Sequence, residues 1–206
     1  MTHVRILFLA SLLVLSASLP AIEAGAIKKA CDKASNWLIE HYSVKDKAFL
    51  QDGKPVDLQT TAIIVTALCT HPRDYKETSG PFISEPVKAL VAQGEKAGRA
   101  ERDWIGLALK STQNEKYADY YTQWITSPPT SGDFTANVAV TADRPVLLKQ
   151  FRNARVLAVS ADNKPLCAQL AENVIALQQK NGSFGEDLQV NALAIGILNC
   201  CYKALK

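Results

Sequence analysis

The chain has 206 residues, 23 basic and 20 acidic side chains, a net charge of +3, 48% hydrophobic residues and 21% charged ones. This balance excludes a disordered chain, and the small, scattered positive charge excludes a nucleic-acid binder, which needs a clustered basic face. Five cysteines (Cys31, Cys69, Cys167, Cys200, Cys201) lack a Cys-x-x-Cys spacing, and His3, His41 and His71 stand apart, so neither a metal site nor a cofactor is expected.

Residues 1–24 have the layout of a signal peptide. Arg5 supplies a positive start, Ile6 to Leu19 is apolar apart from serines, and Pro20 precedes the small-residue segment Ala21-Ile22-Glu23-Ala24. Residues 25–206 are therefore expected as one exported domain, periplasmic or secreted, with no later membrane span.

Ala26 to Tyr42 places Ile27, Ala30, Cys31, Ala34, Leu38 and His41 at helical spacing, which predicts an amphipathic helix. A polar stretch containing Asp52-Gly53 and Pro55 follows, and Asp57 is an N-cap for Leu58 to Thr70. That second helix has no charged face, as expected of a segment buried on all sides. Amphipathic helices follow over Phe82 to Ala97 and Glu115 to Thr126, with apolar segments over Asp103 to Leu109 and Phe134 to Val140. Asp143 and Pro145 open a helix to about Val159, Pro165 to Lys180 forms the next, and the last runs from Asp187 to Leu205.

The pattern repeats. Asp57-Leu58-Gln59, then Ala62 and a run ending at Leu68, is echoed by Asp187-Leu188-Gln189, then Ala192 and a run ending at Leu198. Asp103 and Asp133 open weaker copies. The predicted fold is all-α, with about four hairpins in which an amphipathic helix covers an apolar one. No such unit buries its apolar helix alone, so the units must stack.

Leu177-Gln178-Gln179-Lys180-Asn181-Gly182-Ser183-Phe184-Gly185 resembles the Q-x-x-x-G-S-W/F-G turn of the squalene cyclase and prenyltransferase superfamily. The connector from Pro72-Arg73-Asp74-Tyr75 to Ser79-Gly80-Pro81-Phe82 resembles that of its exported bacterial members. The resemblance implies an α/α-toroid, outer and inner helices alternating around a ring that is here partial or open. Gln178, Gly182, Phe184 and Gly185 are then structural turn residues. The glycines permit reversal, the glutamines satisfy open backbone groups, and Phe184 plugs adjacent hairpins.

The family's chemistry is not matched. Cyclases of this type use Asp-x-Asp-Asp as the general acid, but Asp57-Leu58-Gln59-Thr60 keeps one aspartate. A strong general acid needs a partner that shifts its proton affinity, and Asp57 has none in sequence. Cys69-Thr70-His71 offers two zinc-ligand types without a third. Asp57, Asp103 and Asp187 are the only repeated catalytic candidates, all expected at inner-helix starts. Tyr117, Tyr121 and Trp124, with Tyr120, are the candidate binding aromatics, for a greasy or sugar-bearing ligand. Arg144, Lys149, Arg152 and Arg155 form a charged helix face, a solvated one in the simplest reading.

The expectation is a noncatalytic interaction or apolar-ligand-binding module. Its ligand would be lipid or terpenoid-like, and its partner a second copy or an envelope protein. The alternative is a reduced cyclase-like or lyase-like enzyme using the three aspartates.

Overall fold

The computed structural model describes residues 22–125 and 140–206. The fold is all-α apart from one small sheet. In chain order it comprises α1 (Ala24–Glu40), β1 (Tyr42–Ser43), β2 (Ala48–Gln51), β3 (Lys54–Pro55), α2 (Leu58–Cys69) and α3 (Pro81–Gly94). Then come α4 (Arg99–Ser111), α5 (Ala118–Trp124), α6 (Arg144–Leu157), α7 (Lys164–Ala176) and α8 (Leu188–Leu205). The expected leader up to residue 21 and the expected apolar segment at 134–139 with its opening Asp133 lie outside the described residues.

The stretch between α1 and α2 is a three-stranded antiparallel sheet rather than a plain loop, with Tyr42 opposite Phe49 and Gln51 opposite Lys54. Asp52 and Gly53, at φ 52° and 73°, make the two-residue turn between β2 and β3. Two left-handed residues in succession match the twist of the strands they join, and Asp-Gly suits that conformation.

α8 is the hub, packing against α1, α2, α6 and α7. α2 and α8 run in the same direction. Gln51, at the end of β2 in the sheet that leads into α2, donates to Glu186 O (3.1 Å) and accepts from Leu188 N (2.9 Å) at the start of α8. Near the other ends, Asn199 donates to Ala67 O at 2.9 Å. α6 follows the same course, because Arg144 at its first residue pairs with Asp187 at the head of α8. So does α4, which packs along α2 and whose last residue, Ser111, lies beside Cys69, the last of α2. The Trp104 and Phe151 rings, 5.5 Å apart, bring α4 against α6. Phe151 in turn lies on Gly196 of α8, where a Cβ would come within 2.6 Å of the ring. The neighbour order is thus α4–α2–α8–α6, with Trp104 and Phe151 joining its two ends.

α1 and α7 run against α8. Cys31 of α1 donates to Asn199 Oδ1 (3.5 Å), and Cys167, early in α7, meets Cys201, late in α8. Each buries one stripe: Ile27, Ala30, Cys31, Ala34 and Leu38 in α1, and Cys167, Leu170, Ala171 and Val174 in α7. By length and composition α8 is apolar enough to cross a membrane, which sequence inspection did not expect; 72% of it is buried against the other helices, as befits a core helix.

Candidate functional site

The three repeated aspartates have different surroundings. Asp57 Oδ1 accepts from Thr60 N at 2.6 Å, and Asp187 Oδ1 accepts from Val190 N at 3.0 Å; both are N-caps, satisfying a backbone donor that the first helical turn leaves open. The other oxygen of Asp187 takes the Arg144 guanidinium, with Nε at 2.7 Å. Asp103 does not open a helix, contrary to expectation. α4 begins four residues earlier at Arg99, and Glu101 accepts from Gly98 N (3.1 Å) in a capping arrangement. The Arg-Ala-Glu-Arg start is so charged that the apolar periodicity marks only the part of the helix after Asp103.

Two clefts open among the described residues. The first, about 300 Å³, lies between the sheet, the start of α2 and α3, and is lined by Lys47, Pro55, Val56, Asp57, Thr61 and Gln93 among others. Asp57 is the only one of the three aspartates on its wall. The second, about 330 Å³, lies beside α5 and is lined by Glu95, Arg102, Asp119, Tyr120, Gln123 and Trp124.

The expected binding aromatics divide here. Trp124 lines the second cleft and Tyr120 joins it, their ring centroids 5.0 Å apart. Trp124 also wedges against Gly94, where a Cβ would come within 2.7 Å of the indole, and this fixes α5 on the α3–α4 corner. Tyr121 is half-buried on the core and off the cleft wall, and Tyr117 is buried. Tyr117 OH donates to Glu77 at 2.9 Å, and Asn114 (2.7 Å) and Lys116 (3.1 Å) donate to the same carboxylate. Burial alone would raise the Glu77 pKa, but these three hydrogen bonds outweigh it and hold the carboxyl below its ordinary range. Arg102 donates to Gly94 O at 3.2 Å and to Glu95 O, satisfying carbonyls at the end of α3 while its side chain walls the second cleft.

The Gln-Gly turn is tied in at several points. Gln178 Nε2 donates to Ala30 O (2.9 Å) and Gly182 O (2.8 Å), joining the turn to α1. Gly182 and Gly185 have φ 93° and 133°, and Phe184 is buried. Asn191, which sequence inspection passed over, holds the turn to α8. Its Oδ1 accepts from Phe184 N (2.7 Å), and its Nδ2 donates to Gly185 O (2.9 Å) and Asp187 O (2.8 Å). An asparagine inside an apolar run was the available signal, since a buried amide demands partners.

Cys69 and His71 do not form a ligand pair. The Cys69 thiol is buried, which pushes its pKa up to about 12, and His71 Nδ1 lies 2.6 Å from Asp74 Oδ2. Among the described residues no three His, Cys, Asp or Glu side chains gather as metal ligands. Arg144 of the charged α6 face is paired with Asp187, and Arg152 and Lys149 are exposed. No family model, no curated protein and no solved structure matches the chain.

Proposed function

We propose that the chain is an exported, noncatalytic binding module with a toroid-like helical arrangement, and that the cleft beside α5 seats its ligand. The observation that carries this is the grouping of Tyr120 and Trp124 with Glu95, Asp119 and Gln123 around about 330 Å³. Aromatic rings offer flat apolar surface, and the carboxylates and amide offer hydrogen-bond partners to hydroxyl groups. The ligand class that answers both is a sugar, with an apolar ring face and a hydroxylated rim. The volume lies at the small end of the range for ligand clefts.

The toroid-like part of the reading is supported by the shared direction of α2, α4, α6 and α8. The noncatalytic part is supported by the capping duties of Asp57 and Asp187 and by the position of Asp103 inside α4. A lipid or terpenoid-like ligand is less well supported, because α2 and α8 pack directly on each other with buried side chains between them.

The test is a titration of the purified chain with maltose and cellobiose, followed by tryptophan emission. Saturable quenching is expected, weakened at least about ten-fold in Tyr120→Ala and Gln123→Ala, since the loss of one good contact costs on the order of 1.4 kcal/mol. No response to either sugar, with a lipid-range mass retained in native mass spectrometry, would move the reading to an apolar ligand. A second reading, an enzyme acting through Asp57, is favoured by that residue's place on the first cleft. It predicts that Asp57→Asn, which keeps the cap, abolishes turnover.

A further inference from the structure

α7 and α8 form an antiparallel pair joined by the Gln178–Gly185 turn, and this brings the beginning of α7 to the end of α8. Cys167 and Cys201 meet there. Both side chains are fully buried, on helices that pack against each other, and each lies within interaction range of the other. Two of the other cysteines have different neighbours: Cys31 donates to Asn199 Oδ1 (3.5 Å), and Cys69 lies beside Ser111 at the end of α4. Cys200 is adjacent in sequence, but on a helix consecutive residues project about 100° apart, and Cys200 is the only one of the five that is not fully covered.

We propose that Cys167 and Cys201 are a disulfide pair that closes in an oxidising medium and staples α8, the hub of the core, to α7. Two buried thiols facing each other across packed helices reach bridge geometry by rotation about each Cα–Cβ bond and small adjustments of the helices. The oxidant is a disulfide, either a small one such as oxidised glutathione or that of a protein oxidant. One cysteine thiolate attacks it, forming a mixed disulfide and releasing one thiol; the second cysteine then displaces the other thiol. The pair loses two electrons and two protons, and the oxidant becomes two thiols. Exchange takes place as α7 and α8 dock, before the sulfurs are covered. The bridge encloses the turn that carries Gln178, Gly182, Phe184 and Gly185, and leaves Cys31, Cys69 and Cys200 as thiols.

The experiment refolds the full chain in a glutathione redox buffer, blocks remaining thiols with an alkylating agent after denaturation, and measures intact mass. Three alkylated cysteines instead of five are expected. Non-reducing tryptic mapping should join Val156–Lys180, which contains Cys167, to Asn181–Lys203. Because that second peptide holds Cys200 and Cys201, the mapping is repeated in Cys200→Ser, where the link should persist, and in Cys201→Ser, where it should vanish. The oxidised chain should melt about 10 °C above the reduced one, since a loop of this length constrains the unfolded chain substantially. Five alkylated cysteines after oxidative refolding, or a bridge that uses Cys200, Cys31 or Cys69, would overturn the proposal. The mass readout does not depend on ligand binding, so it stands or falls apart from the cleft beside α5.

Discussion

Replacing Asn191 tests how the Gln-Gly turn is held. Its side chain is fully buried and makes three hydrogen bonds, to Phe184 N, Gly185 O and Asp187 O. Asn191→Leu keeps the branching and the number of heavy atoms and removes all three. Asp187 O keeps the helical donor Asn191 N at 3.1 Å, so the main losses fall on Phe184 N and Gly185 O. Stranding a buried polar group costs about 1–3 kcal/mol, which puts the substitution at about 3 kcal/mol in all. For a chain of this size that corresponds to a fall in Tm of about 6–12 °C.

Asn191→Asp adds a sign test. One carboxylate oxygen can still accept from Phe184 N, but the other faces the Gly185 and Asp187 carbonyls, which only accept. Burial and these carbonyls favour the protonated form, so the folded-state pKa rises above the unfolded value of about 3.9. The folded state then binds more protons than the unfolded state, and stability falls as pH rises through the raised value. Denaturant melts followed by far-ultraviolet circular dichroism across a pH series measure both effects. Asn191→Leu within about 0.5 kcal/mol of the parent, the usual range for inconsequential surface changes, would refute the account. An Asn191→Asp variant whose stability rises with pH would refute it equally.

Gly182→Ala should cost about 2 kcal/mol, because φ is 93° and the new Cβ would lie 2.9 Å from Lys33 Cβ and 3.1 Å from Lys33 O; thermal melts measure it, and Gly185→Ala, with open space around it, should cost less. Glu77→Gln should lower stability at neutral pH by about 1 kcal/mol. Because the folded Glu77 carboxyl sits below its ordinary range, its contribution is present above the unfolded value and disappears as pH falls through the folded one, so parent and variant should converge in acid melts. Asp57→Ala should lose about 1 kcal/mol of stability with its cap, and Asp57→Asn only a few tenths, as read by urea unfolding.

The helices were legible wherever local chemistry points one way. α2 and α8 carry an aspartate cap followed by an uncharged, largely apolar run, and the structure starts each within a residue of its cap. α4 was misread because its first turn is charged and its apolar stripe begins only at Trp104. The sheet was missed because strands of two to four residues show no alternation, although Asp52-Gly53 was a usable hairpin signal. Among site residues, the caps were readable three residues at a time. The pairing of Arg144 with Asp187, across 43 positions, was not.

What the sequence by itself determined is the set of segments that must be buried and the turns that must bend. Those follow from side-chain polarity, capping and glycine, all of which act within a few residues. Only the tertiary structure decided which side chains meet: Asn199 with Ala67, Gln51 with Leu188, Tyr120 and Trp124 with Glu95, and Cys167 with Cys201. Burial is a property each segment carries alone, whereas a cleft or a thiol pair depends on which apolar stripe each helix presents to its neighbours.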